Sequence, residues 1–265
     1  MAISYLFIFS PNNSGTTVMS QYLNASLEKT YLPPFGNYEG QMAPSVKSIM
    51  RKEPWNPDSD FDWDYIKSKW DNLALTNEKE LFIEASPPNI MRVSSILKAF
   101  PDCNYLFSIS SPYSYIASHS FNYNPQKLPL DNMIKSASKA WIQKAITQKS
   151  NINTFGSSSN VMTYEEFCVN SDCIFDRLQI DKQDICDKDL QLKGKSNSRF
   201  SKIVDMLPKH LAFLGASGII QVNEILSQEI DLLEFFGYKL LDLNECNIIL
   251  SQNMLLAFDG LERRN

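Results

Sequence analysis

The chain has 265 residues, 43% of them hydrophobic and 21% charged, enough apolar side chain to build one large core. Its formal charge of -5 argues against a broad nucleic-acid surface but leaves room for a local basic pocket around a small anion. Five scattered cysteines without a CxxC pair, and only His119 and His210 beside them, give no disulfide framework and no metal-ligand pattern, so no metal is expected.

The run from Ile3 to Phe9 is apolar throughout, and Tyr5 to Phe9 reads as a buried parallel strand. A helix is expected over 17–31, stopped by Leu32-Pro33-Pro34, and a short one over 45–50. Residues 53–70 form an aromatic insertion, irregular from Glu53 to Asp64, with Trp55, Phe61, Trp63 and Trp70. These rings are either satellite core or the wall of an acceptor pocket. A second strand is expected over 80–84, a helix over 90–100 and a third strand over 105–109. Helices over 113–118 and 128–148, a short strand over 160–163 and a helical region from Tyr164 to about Leu178 follow. This alternation predicts a P-loop-like α/β three-layer sandwich, with a central, mostly parallel sheet and helices on both faces. The whole chain, 1–265, reads as a single domain with a more helical C-terminal third, 190–265, including an amphipathic helix over 222–236. No run is long enough to span a bilayer and no basic leader precedes the first strand, so a soluble, cytoplasmic protein without nucleic-acid partners is expected.

The stretch Ser10-Pro11-Asn12-Asn13-Ser14-Gly15-Thr16-Thr17 joins the first strand to the first helix. Such a turn gathers backbone N–H groups around one point and holds a phosphate or sulfate. Gly15 permits close approach, and Ser14, Thr16 and Thr17 add hydroxyls; ordinary helix capping is the alternative. Three strands end in polar turns, at 10–17, 84–89 and 110–118, and in a parallel sheet such turns line one crevice. Ser110, Ser111, Ser114 and Ser118 suit a second phosphate, although they equally suit capping of the helix from Tyr113. Two separated anion sites point to a nucleotide phosphorylated at both ends. The loop lacks the Gly-Lys-Ser/Thr ending of a Walker A motif.

In these residues the chain resembles the sulfotransferases that use 3'-phosphoadenosine 5'-phosphosulfate. Their Pro-Lys/Arg-Ser-Gly-Thr-Thr loop is matched by Asn12-Asn13-Ser14-Gly15-Thr16-Thr17. Their Glu-Lys-Ser/Thr-Pro-x-Asn pattern and following Phe-Pro-Asp/Glu are matched by Glu84 to Asn89 and Phe100-Pro101-Asp102. Arg-x-Pro with a serine six residues beyond the proline falls on Ser110-Ser111-Pro112 and Ser118, and the Tyr-Glu motif on Thr163 to Phe167. The resemblance covers residues 3 to about 180. It departs from the family where cations are expected: Asn13 replaces the Lys or Arg that contacts the 5'-phosphosulfate, Ala85 another basic residue, and Ser110 the arginine on the 3'-phosphate. Each charged hydrogen bond is worth about 1.5–3 kcal/mol. Lys193, Gly194, Lys195, Arg199 and Lys202 resemble the family's basic loop over the nucleotide, or form a solvated charge run.

The resemblance implies sulfuryl transfer from that donor to a small hydroxylated acceptor, a sugar or glycolipid head group among the candidates. The nest residues 13–17, with Ser110, Ser118 and the basic loop, would hold the nucleotide. Glu39 stands where sugar and protein-tyrosine sulfotransferases carry their catalytic base; Glu84 and His119 are further candidates. The competing readings are a nucleotide- or anion-binding protein of sulfotransferase fold with little or no transfer, and a P-loop phosphotransferase.

Overall fold

A computed structural model describes residues 2–123, 128–157, 160–181, 185 and 203–253. Five strands, β1 (Ser4–Phe9), β2 (Thr30–Tyr31), β3 (Leu81–Glu84), β4 (Asn104–Ile109) and β5 (Val161–Thr163), form one sheet in the order β2-β3-β1-β4-β5. Every pairing is parallel, with Phe7 beside Glu84 and Tyr105, and Ile109 beside Thr163. From central β1 the chain builds one flank of the sheet, then returns to build the other. The carboxyl end of β1 therefore sits at the point where the order reverses, the usual ligand crevice of such sheets.

Alternation along β1 explains the layers. Ile3, Tyr5, Phe7 and Phe9 face one apolar cluster, with Trp63, Trp70 and Phe100. Leu6 and Ile8 face the other, with Met19, Leu23, Phe167 and Phe175. On the second face lie α1 (Thr16–Ser26), α7 (Tyr164–Val169) and α8 (Cys173–Leu178). On the first lie α2 (Lys47–Met50), α3 (Trp63–Thr76) and α4 (Val93–Ala99). A third cluster joins α5 (Pro112–Asn122), α6 (Leu130–Phe155), α9 (Leu207–Leu226), α10 (Ile230–Phe235) and α11 (Leu243–Gln252). The three-layer α/β sandwich read from the sequence is the architecture found.

Several boundaries differ from the expectation. The first helix stops at Ser26 rather than running to residue 31. Lys29 turns left-handed (φ 51°), and Thr30–Tyr31 pair with Leu81–Phe82 as an edge strand. Regular structure resumes earlier than expected in the aromatic insertion: the Asp62 carboxylate accepts the Tyr65 N–H at 2.9 Å and starts α3. Its Trp63, Ile66, Trp70 and Ala74 recur at helical spacing and are buried. The helix expected over 128–148 extends to Phe155. The one expected over 222–236 is two helices, α9 and α10, parted at residues 227–229, and Gly215 (φ 63°, ψ 178°) breaks α9 internally. Among the described residues, no helix is long and apolar enough to cross a membrane.

Candidate functional site: an anion nest at the end of the central strand

The loop after β1 turns through two left-handed residues, Asn13 (φ 59°) and Gly15 (φ 79°), on either side of Ser14. Asn is among the few side chains that tolerate this region, and glycine enters it without cost. The alternation aims successive N–H groups at a common point. The Gly15 carbonyl takes the Val18 and Met19 N–H groups and so starts α1. No acceptor among the described residues engages the amides of Gly15, Thr16 and Thr17, and no side chain caps the helix. The glycine is required from outside as well, because a Cβ there would lie 2.1 Å from the Tyr164 ring.

The first and third polar turns meet. Ser110 Oγ donates to Ser14 Oγ at 3.1 Å, and both residues are fully buried. The Ser110 hydroxyl thus ties the β1 loop to the β4 loop. Farther along α5, Ser118 Oγ lies 3.0 Å from His210 Nε2 on α9. Burial, helped by Lys209, pulls His210 down to about 4, so it is neutral near pH 7. The Ser114 hydroxyl has no partner among the described residues. At the start of α5 the Ser111 N–H donates to Glu165 Oε1 at 2.8 Å, and Tyr238 donates to the other oxygen at 2.8 Å. Burial lifts Glu165 to about 7 against these bonds.

The Thr163–Phe167 motif is consequently spent on architecture. Thr163 and Glu166 form a reciprocal capping box, Tyr164 covers Gly15, Glu165 holds the start of α5, and Phe167 enters the core.

The second polar turn forms a separate corner on β3. Glu84 is fully buried and accepts the Gly40 N–H at 2.7 Å, the Ser86 N–H at 3.0 Å and the Asn89 amide at 2.9 Å. Burial raises it to about 7, opposed by the hydrogen bonds from Ser86 and Gly40. Glu39 precedes Gly40 and is half-buried; burial raises its carboxyl too, countered by a hydrogen bond from Gln41 and by Arg51.

One cluster was not singled out in the sequence. The Lys144 ammonium, from α6, donates to Asn12 Oδ1 at 2.6 Å and to the Tyr115 hydroxyl at 2.7 Å. It lies 4.5 Å from the centre of the Trp55 ring. Asn13 Oδ1 accepts from Asn122 at 3.2 Å, while Asn13 Nδ2 is buried without a partner among the described residues. His119 stacks on Tyr115 and lies tilted against Tyr123, its Nδ1 without a partner among the described residues and its basicity lowered by burial and by Lys144. The aromatic insertion therefore divides: Phe61, Trp63 and Trp70 are core, whereas Trp55 borders the nest cluster. Arg92 fixes that strap by donating to the carbonyls of Glu53 (3.1 Å) and Pro54 (2.7 Å).

A signal for Lys144 does exist in the sequence. Ala137, Trp141, Ala145 and Gln148 form the buried stripe of α6, and Lys144 stands within it, three residues after Trp141. The expected basic loop with Lys193, Gly194, Lys195, Arg199 and Lys202 lies outside the described residues. No group of three or more His, Cys, Asp or Glu side chains able to hold a metal occurs among the described residues.

Comparison with solved structures places this architecture. The chain is similar to sulfotransferase STF9 from Mycobacterium avium, with a TM-score of 0.53 and 14% identity over 91% of this chain and 78% of that one. A sulfotransferase from Alicyclobacillus acidocaldarius (TM-score 0.46, 15% identity, 86% of this chain and 97% of that one) also matches. So does STF1 from Mycobacterium tuberculosis (0.44, 12%, 86% and 77%). No protein-family model and no curated protein matches the sequence. The fold is that of the sulfotransferases.

Proposed function

We propose that the protein transfers a sulfuryl group from 3'-phosphoadenosine 5'-phosphosulfate to a hydroxyl of a small molecule or carbohydrate. One observation carries this reading: in a sulfotransferase fold, the amides of Gly15, Thr16 and Thr17 stand without acceptors at the carboxyl end of the central strand. Asn13 Nδ2, buried and without a partner among the described residues, adds a further donor on the same loop. Such a donor set fits an anionic group and gives nothing to a cation.

The donor brings the sulfuryl group on a phosphate-sulfate anhydride. The nest amides would hold its inner phosphate, and the same amides and hydroxyls would offset charge developing on the bridging oxygen. The acceptor oxygen forms the new bond to sulfur as the bond from sulfur to the phosphate oxygen breaks, releasing 3',5'-adenosine bisphosphate. The acceptor's proton would pass to a carboxylate. Glu39 suits this role better than Glu84: it is only half-buried, and burial raises its basicity. Glu84 has both oxygens committed to N–H groups. His119, neutral and with a free Nδ1, is the remaining candidate.

Calorimetry with 3',5'-adenosine bisphosphate tests the donor, and labelled-donor turnover over a panel of hydroxylated acceptors tests the transfer. Micromolar binding and turnover support the reading. Affinity for ATP without affinity for the bisphosphate overturns it in favour of a phosphotransferase. Glu39→Gln is expected to abolish turnover with little change in nucleotide affinity; an unchanged rate removes Glu39 as the base. A second reading, an anion-binding protein without transfer, draws on the uncharged Asn13 and Ser110, and bisphosphate binding with no turnover of any acceptor selects it.

A further inference from the structure

We propose that Lys144 is the cation of the nest: it supplies from α6 the positive charge that Asn13 does not, and contacts the anionic end of the donor. The inference rests on the donor reading above for the identity of the anion, and on the following geometry for the rest.

An ammonium has three protons to donate. Two of those on Lys144 go to neutral oxygens, Asn12 Oδ1 and the Tyr115 hydroxyl. The ion pairs found for other lysines show the contrast: Lys29 has Glu80, Lys67 has Asp71 and Lys239 has Glu245. No carboxylate among the described residues pairs with Lys144. A half-buried charge without a counter-ion is costly in the free protein. Burial accordingly pulls the ammonium down to about 8.

The surroundings point the same way. Asn12, which receives the ammonium, belongs to the nest loop, and its neighbour Asn13 holds a buried amide nitrogen without an acceptor. The face of Trp55 (4.5 Å) stabilises the cation without neutralising it. It leaves the charge available to a ligand. Position is fixed from below: one helical turn onward, Gln148 Nε2 donates to the carbonyls of Phe9 (2.6 Å) and Ser108 (2.8 Å). The ends of β1 and β4 thus set the height of α6, and with it the height of the ammonium beside the loop that follows β1.

The test uses the full chain, with 3',5'-adenosine bisphosphate, inorganic sulfate and ATP as calorimetric probes. Lys144→Met is expected to weaken binding at least about tenfold, the scale of one charged hydrogen bond. Lys144→Arg should retain part of it. Lys149→Met, on the same helix but beside Phe235, should stay within about twofold of the parent. Asn13→Lys added to Lys144→Met should recover most of the loss, because it returns a cation to the loop itself. Circular dichroism confirms that each variant is folded. If the parent binds the bisphosphate and Lys144→Met binds it equally well, this inference fails while the donor reading stands. If the parent binds only sulfate or ATP, and Lys144→Met loses that binding, Lys144 remains the anion contact and the donor reading fails. A parent that binds none of the three overturns both.

Discussion

Two polar corners lie along the carboxyl edge of the same sheet, and they are built on opposite principles. At Glu84 both carboxylate oxygens are met by N–H groups from the Gly40 loop and the turn after β3. At Lys144 the charge meets only neutral oxygens, and among the described residues the nearby Asn13 amide nitrogen has no acceptor. The first corner is complete within the chain and fastens a loop to a strand. The second lacks an acceptor that the described chain does not provide. Saturated polar clusters hold folds together; unsaturated ones of a single sign call for a ligand of the other.

Removing each corner should move stability in opposite directions. Glu84→Ala is expected to cost about 3 kcal/mol or more in urea unfolding, because three buried donors lose their acceptor. Glu84 keeps its proton up to about pH 7 in the folded protein, against an ordinary carboxyl value of 4.5. The native state therefore binds more protons between those values, and this group's contribution falls as pH rises from about 4.5 to 7. Glu84→Gln should flatten that part of the stability curve, and an unaltered slope would show that Glu84 does not titrate in this way.

Gly15→Ala comes next, at roughly 2 kcal/mol, since the residue is left-handed and its Cβ would enter the Tyr164 ring. In a Tyr164→Ala background the same change should cost less; equal costs in both backgrounds would remove Tyr164 from the argument. Lys144→Met should instead stabilise the unliganded protein at pH 7, by about 1 kcal/mol, as a charge without a counter-ion is deleted. The native ammonium releases its proton near 8 and the free side chain near 10.5, so this gain should fade as pH rises through that interval. Tyr115, His119 and Tyr123 are the titratable side chains clustered there. A destabilised Lys144→Met protein would mean that the lysine serves the fold. The smallest effect is expected for Trp55→Ala, below about 1 kcal/mol, because its ring is partly exposed over the cation. A larger loss in urea unfolding would mean that the ring packs as core and not over the cation.

Apolar runs in β1, β3 and β4 made the sheet legible, since central parallel strands are buried on both faces. Edge strand β2 escaped because two residues, Thr30 and Tyr31, carry no readable period. Helix α3 began inside a stretch of Pro, Asp and Trp whose capping aspartate looked like loop. The nest was visible because its chemistry lies in consecutive residues. Lys144 stands on the buried stripe of α6, but its role was not legible, because its partner Asn12 is 132 residues away. Pairings of that kind are made by topology.

Gln148 acts as a gauge block between helix and sheet. Its spacing from Lys144 is a single turn, so inserting one residue between them would rotate the ammonium by about 100° and lift it about 1.5 Å off its mark. Such an insertion would keep every group of the cluster in the chain and turn Lys144 away from the nest loop, together with Trp141, whose indole donates to the Ser110 carbonyl, separating possession of the right groups from holding them in phase.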